Sequence, residues 1–112
     1  MPEDILPIDA TPTEWEIIQD LLRQFVPNRE VWVFGSRAQF TAKPYSDLDI
    51  AIAGSVSGQP ALSLGGMADL NHAFSLSGLP YKVDIVDWST ISEDFKKMIE
   101  QHRVLIFKPQ SQ

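Results

Sequence analysis

The sequence predicts a mixed α/β (α+β) domain, a small β-sheet covered on at least one side by helices. Short apolar runs rich in β-branched and aromatic residues, such as Val31-Trp32-Val33-Phe34 and the YKVDIV run from Tyr81 to Val86, have strand composition. Longer stretches between them repeat apolar residues at helical spacing, and proline, glycine or asparagine marks the joins. The resulting order, α-β-(α)-β-α-β-α-β, is that of a sheet with helical connections.

The chain has 112 residues, enough for one domain with a real core but not for two. Its expected organisation is an arm over residues 1–10, a domain over 11–108 and a frayed tail over 109–112. Hydrophobic residues make up 44%, so the body of the chain is expected to fold. There is no cysteine, which removes disulfides and thiolate metal sites. Nine basic residues against fifteen acidic ones leave a net charge of −6, which argues against charge-driven binding to RNA or DNA. A nucleotide substrate is still compatible, because metal ions offset the repulsion locally. The start, MPEDILPIDA, has no basic or apolar leader pattern. No apolar run approaches the roughly 20 residues of a membrane span. No membrane association and a cytoplasmic location are the expectation.

Thr11-Pro12-Thr13-Glu14 combines a capping threonine, proline at the first helical position and glutamate at the third. Trp15, Ile18, Leu21 or Leu22, and Phe25 then form one apolar face, and Pro27-Asn28 stops the helix. A strand over 31–34 runs into Gly35-Ser36, followed by a short helix near 36–40 and a second strand over 47–53. Gly54 to Pro60 reads as a link. A helix from about Ala61 to Ser77 presents Leu62, Leu64, Met67, Leu70, Ala73, Phe74 and Leu76, weakened by Gly65-Gly66. Strand three covers 81–86. A last helix over 89–101, capped by Ser89 or Ser92, shows Ile91, Phe95, Met98 and Ile99, and a short strand over 104–107 closes the chain.

The chemistry concentrates between Val31 and Gly54. Strand side chains alternate, so Asp47 and Asp49 share a face, with Cα atoms roughly 6.6 Å apart. Leu48, Ile50 and Ile52 point the other way, into the core. Two carboxylates on one face repel and lose water unless something positive answers them. Mg²⁺ does so through oxygen ligands, commonly one or two carboxylates with substrate phosphates. Read alone, the pair also fits a solvated strand start. Asp84 strengthens the metal reading, because it interrupts an apolar strand and would reach the same centre if that strand lies beside the second. Its bland alternative is a half-exposed strand with Asp84 facing water, which the shared parity of Val86 and Trp88 disfavours. Asp87, of opposite parity, fits a turn. Gly35 lets the backbone approach a phosphate, and Ser36 adds a hydroxyl beside free N–H groups.

The pattern G-S-x10-D-x-D with a later strand aspartate resembles the nucleotidyltransferase superfamily typified by DNA polymerase beta and kanamycin nucleotidyltransferase. GSRA, SDLDIAI and LPYKVDIVD are similar to its minimal nucleotidyltransferase branch, usually encoded beside a HEPN-domain protein. The resemblance runs from the Thr11 helix through Phe107 and implies the polymerase beta-like fold. It implies a metal-dependent transferase moving AMP from ATP to a hydroxyl, with two Mg²⁺ ions at one centre. Gly35 and Ser36 would hold the nucleotide phosphates, and Asp47 and Asp49 would bind both metals. Asp84 would complete the second metal site and help activate the attacking hydroxyl. Arg37 matches a family arginine and would touch phosphate, against the alternative of a solvated helix-start charge. The implied acceptor is a tyrosine on a HEPN toxin, making the chain the antitoxin of a hetero-oligomeric toxin–antitoxin pair. Transfer to a small molecule such as an antibiotic, or non-catalytic masking of the toxin, are the alternatives. After GSRA the branch often continues Arg-Gly, where this chain has Gln39-Phe40, and Lys43 could partly replace that arginine. His72 and His102 fit no ligand spacing.

Overall fold

The computed structural model describes residues 6–54 and 63–109. Helix α1 spans Pro12–Phe25, strand β1 Arg29–Phe34, the one-turn helix α2 Ser36–Gln39 and strand β2 Leu48–Gly54. Helix α3 (Leu64–Ser75), strand β3 (Val83–Asp87), helix α4 (Glu93–Glu100) and strand β4 (Val104–Phe107) follow, with a 3₁₀ turn at Trp88–Thr90. The four strands form one sheet in the order β3-β2-β1-β4. β1 is antiparallel to both β2 and β4, while β2 and β3 are parallel. The parallel pairing brings Asp84 level with Asp49.

The capping box at α1 forms as its residues dictate. The Thr11 hydroxyl accepts from the Glu14 N–H at 3.1 Å, and Glu14 Oε1 accepts from the Thr11 N–H at 3.1 Å. Alternation along the strands divides the core in two. Val31, Val33, Leu48, Ile50 and Ile52 join Ile18, Leu22, Leu70 and Phe74 under α1 and α3. Each such side chain, fully buried, contributes about 1.5–3 kcal/mol. The opposite face carries Phe34, Ala51 and Ile99, flanked by Trp32, Val86, Trp88, Ile91 and Phe95. Helices therefore cover both faces of the sheet.

Several expectations shift. The arm tightens at residues 6–10: Ile8 is buried in the core, and the Asp9 N–H donates to the Arg37 carbonyl at 2.8 Å. Helix α3 begins later than expected because the Ser63 hydroxyl caps it, accepting from Gly66 N–H at 2.9 Å. Gly65 and Gly66 thus fall in its first turn. Of its predicted apolar face, Leu70 and Phe74 are buried, whereas Leu76 is exposed at the C-cap. Leu62 lies outside the described residues. Ser92, not Ser89, caps α4, accepting from Phe95 N–H at 3.1 Å. The α4 face is narrower than predicted, since Met98 is exposed beside buried Ile99. β3 starts at Val83 because Tyr81 turns into the core instead of pairing.

Candidate active site

β1 delivers the chain to Gly35, where φ is +79°. An added Cβ there would lie 2.5 Å from Asp49 Oδ2. Backbone conformation and close approach both demand glycine. Gly35 therefore presses its backbone against the carboxylate of the neighbouring strand. Ser36 opens α2, and its hydroxyl has no partner among the described residues.

Asp49 is half-buried on β2 and has no ion-pair partner among the described residues. Its pKa is raised from the ordinary 3.8 to about 6, first by loss of water on burial, then by the charges of Asp84 and Asp47. Asp84 stands opposite it in the parallel ladder, where strand backbones lie about 4.8 Å apart. Asp47 is exposed and sits one residue before β2 begins. Asp84 and Asp47 thus both act on Asp49. Asp84 is also held by Lys82, whose Nζ lies 3.3 Å from Asp84 Oδ1. Asp87 takes the turn role expected of it, accepting from Ser89 N–H at 2.9 Å and Ser89 O–H at 2.6 Å.

Among the described residues no three acidic, histidine or cysteine side chains already stand in metal-holding geometry. The donor set nevertheless fits Mg²⁺. It offers oxygen only, Asp49 carries an unanswered charge, and this ion completes its shell with water and phosphate instead of an all-protein cage. Asp47, Asp49 and Asp84 are the residues that would hold it.

For Arg37 the structure revises the expectation. The side chain is buried, not solvated, and its guanidinium faces protein carbonyls instead of the site. Nε donates to Ser46 O at 3.0 Å, Nη1 to Asp9 O at 2.7 Å, and Nη2 to Lys43 O at 3.3 Å and Pro44 O at 3.1 Å. The plane also stacks on Tyr81, 3.6 Å from the ring centroid. With its donors spent this way, Arg37 clamps the loop that carries Asp47 and leaves a phosphate little to bind. Tyr81 Oη donates to Glu14 Oε1 at 3.0 Å; burial first, and that bond second, push its pKa well above the usual phenol range.

The Gln39-Phe40 departure also has a local consequence. Phe40 caps α2 in the left-handed region (φ 58°, ψ 37°), with its ring exposed. A glycine would adopt that conformation freely. His72 and His102 are exposed. Sequence reasoning gave no site role to Lys82 or Tyr81, and gave Glu14 only its place in the helix cap. A lysine two residues before a strand aspartate was the available signal for the first; the Tyr81–Glu14 contact joins residues far apart in sequence and left none.

A glycine–serine turn entering a short helix thus lies beside carboxylates on two adjacent strands. Residues 16–112 match the family described as Polymerase beta, Nucleotidyltransferase, and the chain belongs to that family. It is 44% identical over 99 residues to "Probable protein adenylyltransferase MntA" of Haemophilus influenzae, covering 88% of this chain and 83% of that one. A crystal structure of a toxin–antitoxin with AMP-PNP superimposes with a TM-score of 0.69 at 26% identity, over 86% of this chain and 74% of that chain. A tri-AMPylated Shewanella oneidensis HEPN toxin in complex with its MNT antitoxin gives a TM-score of 0.63 at 23% identity, over 86% and 71%. That last likeness speaks for the fold.

Proposed function

We propose that this chain transfers AMP from ATP to a tyrosine hydroxyl of a HEPN toxin, acting as the cytoplasmic antitoxin of a toxin–antitoxin pair. The observation that carries the reading is Asp49 level with Asp84 on parallel strands, with Gly35 packed against Asp49. The adenylyltransferase named for the Haemophilus influenzae relative and the toxin complexes among the structural neighbours support substrate and partner. Among the described residues no helix is long and apolar enough to cross a membrane.

In this reading the Gly35-Ser36 turn receives the phosphates, with the Ser36 hydroxyl donating to a phosphate oxygen. Asp47 and Asp49 anchor the cation side, and Asp84 orients the acceptor hydroxyl and takes up its proton. The acceptor oxygen bonds to the α-phosphorus as the bond to the bridging oxygen breaks, and pyrophosphate leaves. Bound Mg²⁺ supplies charge neutralisation and a Lewis acid at the phosphate oxygens. Arg37 acts through the loop it clamps, keeping Asp47 beside β2.

The test is incubation with α-labelled ATP, Mg²⁺ and the product of the adjacent gene. Label appearing on a tyrosine of that partner, and lost when this tyrosine becomes phenylalanine, is the expected result. A partner that is bound and silenced without acquiring label overturns the catalytic reading.

A further inference from the structure

We propose that Lys82 is a working residue of this centre. It serves as the exchangeable counter-ion of Asp84 until a divalent cation displaces it, and its ammonium then neutralises the polyphosphate of the nucleotide. The proposal rests on the adenylyltransferase reading and adds a residue to it.

Among the described residues, Lys82–Asp84 at 3.3 Å is the one ion pair that Asp47, Asp49 or Asp84 makes. Its base and its tip are in opposite conditions. The Lys82 carbonyl accepts from Leu48 N–H at 2.9 Å, which fixes the backbone at the foot of the β2·β3 ladder, level with the peptide joining Asp47 to Leu48. Just before it, Tyr81 is held by the Arg37 stack and by its bond to Glu14. The Lys82 side chain, in contrast, is 72% exposed. A fixed root with a free ammonium suits a group that must change partners.

The exchange follows from charge. A solvated lysine–carboxylate pair contributes little to folding, which leaves this one free to serve the centre it borders. A divalent cation reaching Asp84 satisfies the same carboxylate more strongly and repels the ammonium beside it. The ammonium, a compact charge on a flexible four-carbon stem, is then free to pair with the incoming polyphosphate.

Four full-length variants test this: Lys82→Ala, Lys82→Arg, Asp84→Asn and the Lys82→Ala/Asp84→Asn double. With Mn²⁺ alone, read by its electron paramagnetic resonance signal, Lys82→Ala is expected to bind up to about fivefold tighter, because a surface competitor is gone. With ATP and Mg²⁺, the same variant is expected to raise KM by about tenfold while kcat changes little, the loss of a charged contact to substrate. Lys82→Arg restores both values. In the Asp84→Asn background, Lys82→Ala no longer changes Mn²⁺ affinity. Unchanged or weaker Mn²⁺ binding in Lys82→Ala, or an unchanged KM, overturns the role of Lys82. A parent chain that binds neither Mn²⁺ nor ATP overturns the adenylyltransferase reading itself.

Discussion

Two charged groups beside the Gly35-Ser36 turn have opposite fates. Arg37 is buried, and its donors meet four backbone carbonyls and an aromatic face. Asp49 is half-buried, meets no cation among the described residues, and has its pKa raised to about 6. A buried charge with every need met is part of the scaffold. A partly buried charge with its needs unmet is held there by the fold for something that arrives later. The same contrast runs along β2, where Leu48, Ile50 and Ile52 are sealed in the core while Asp49, between them, faces the site.

The contrast breaks most visibly if both acids are neutralised. Replacing Asp47 and Asp49 with asparagine keeps the shape but removes the charges, so nucleotidyl transfer is expected to fall by orders of magnitude. Partner binding is expected to survive, because the substitutions keep the size and shape of both side chains. A pull-down paired with a label-transfer assay reads both. If the double variant protects cells from the partner as well as the parent does, masking alone explains antitoxin action.

Arg37→Ala is the reciprocal test. It strands carbonyls that Arg37 satisfied and removes the Tyr81 stack, at an expected cost of about 3 kcal/mol in urea unfolding. ATP affinity of the fraction still folded should stay within about twofold of the parent's. A stable Arg37→Ala protein with strongly weakened ATP binding would return Arg37 to phosphate contact.

Asp49 gives a smaller effect, dependent on pH. Its folded pKa lies above its unfolded value, so its stabilising contribution is complete below about 3.8 and is lost as pH rises through about 6. Asp49→Asn should therefore gain on the parent between pH 4 and 7, by about 1 kcal/mol once screening of a half-exposed group is allowed for. Saturating Mg²⁺ should narrow that gap by binding the parent's carboxylate. Melting curves at pH 4 and 7, with and without Mg²⁺, decide it; a gap independent of pH removes the unmet-charge account.

Phe40→Gly gives the smallest effect. Glycine relieves the left-handed cap, worth about 1–2 kcal/mol, but costs about 0.5–1 kcal/mol in unfolded-chain entropy. A net gain of about 0.5 kcal/mol in chemical denaturation is expected. A loss instead would mean that the exposed ring makes contacts worth more than the strain.

Much of this was legible beforehand for reasons that are local. The capping box at Thr11, the two-residue alternation of β1 and β2, and the apolar residues bounding the last strand act within a few positions, and each element formed where its residues demanded. Asp49 alternates with Leu48 and Ile50 for the same reason, whereas Asp47, expected to open the strand, falls one residue before it. Helix ends were less legible, because Ser63 and Ser92 won over neighbouring candidates through geometry that competing serines and glycines leave undetermined.

What composition and spacing determined was the set of strands and helices and the alternation that separates Asp49 from Leu48 and Ile50. Tertiary structure decided which strands became neighbours. Only the parallel pairing of β2 with β3 sets Asp84 against Asp49, and only the packing of residues 6–10 and Tyr81 around Arg37 buries a side chain that the sequence left open to solvent. Such partners lie dozens of residues apart, and their energies depend on burial and mutual orientation, which a linear pattern does not encode.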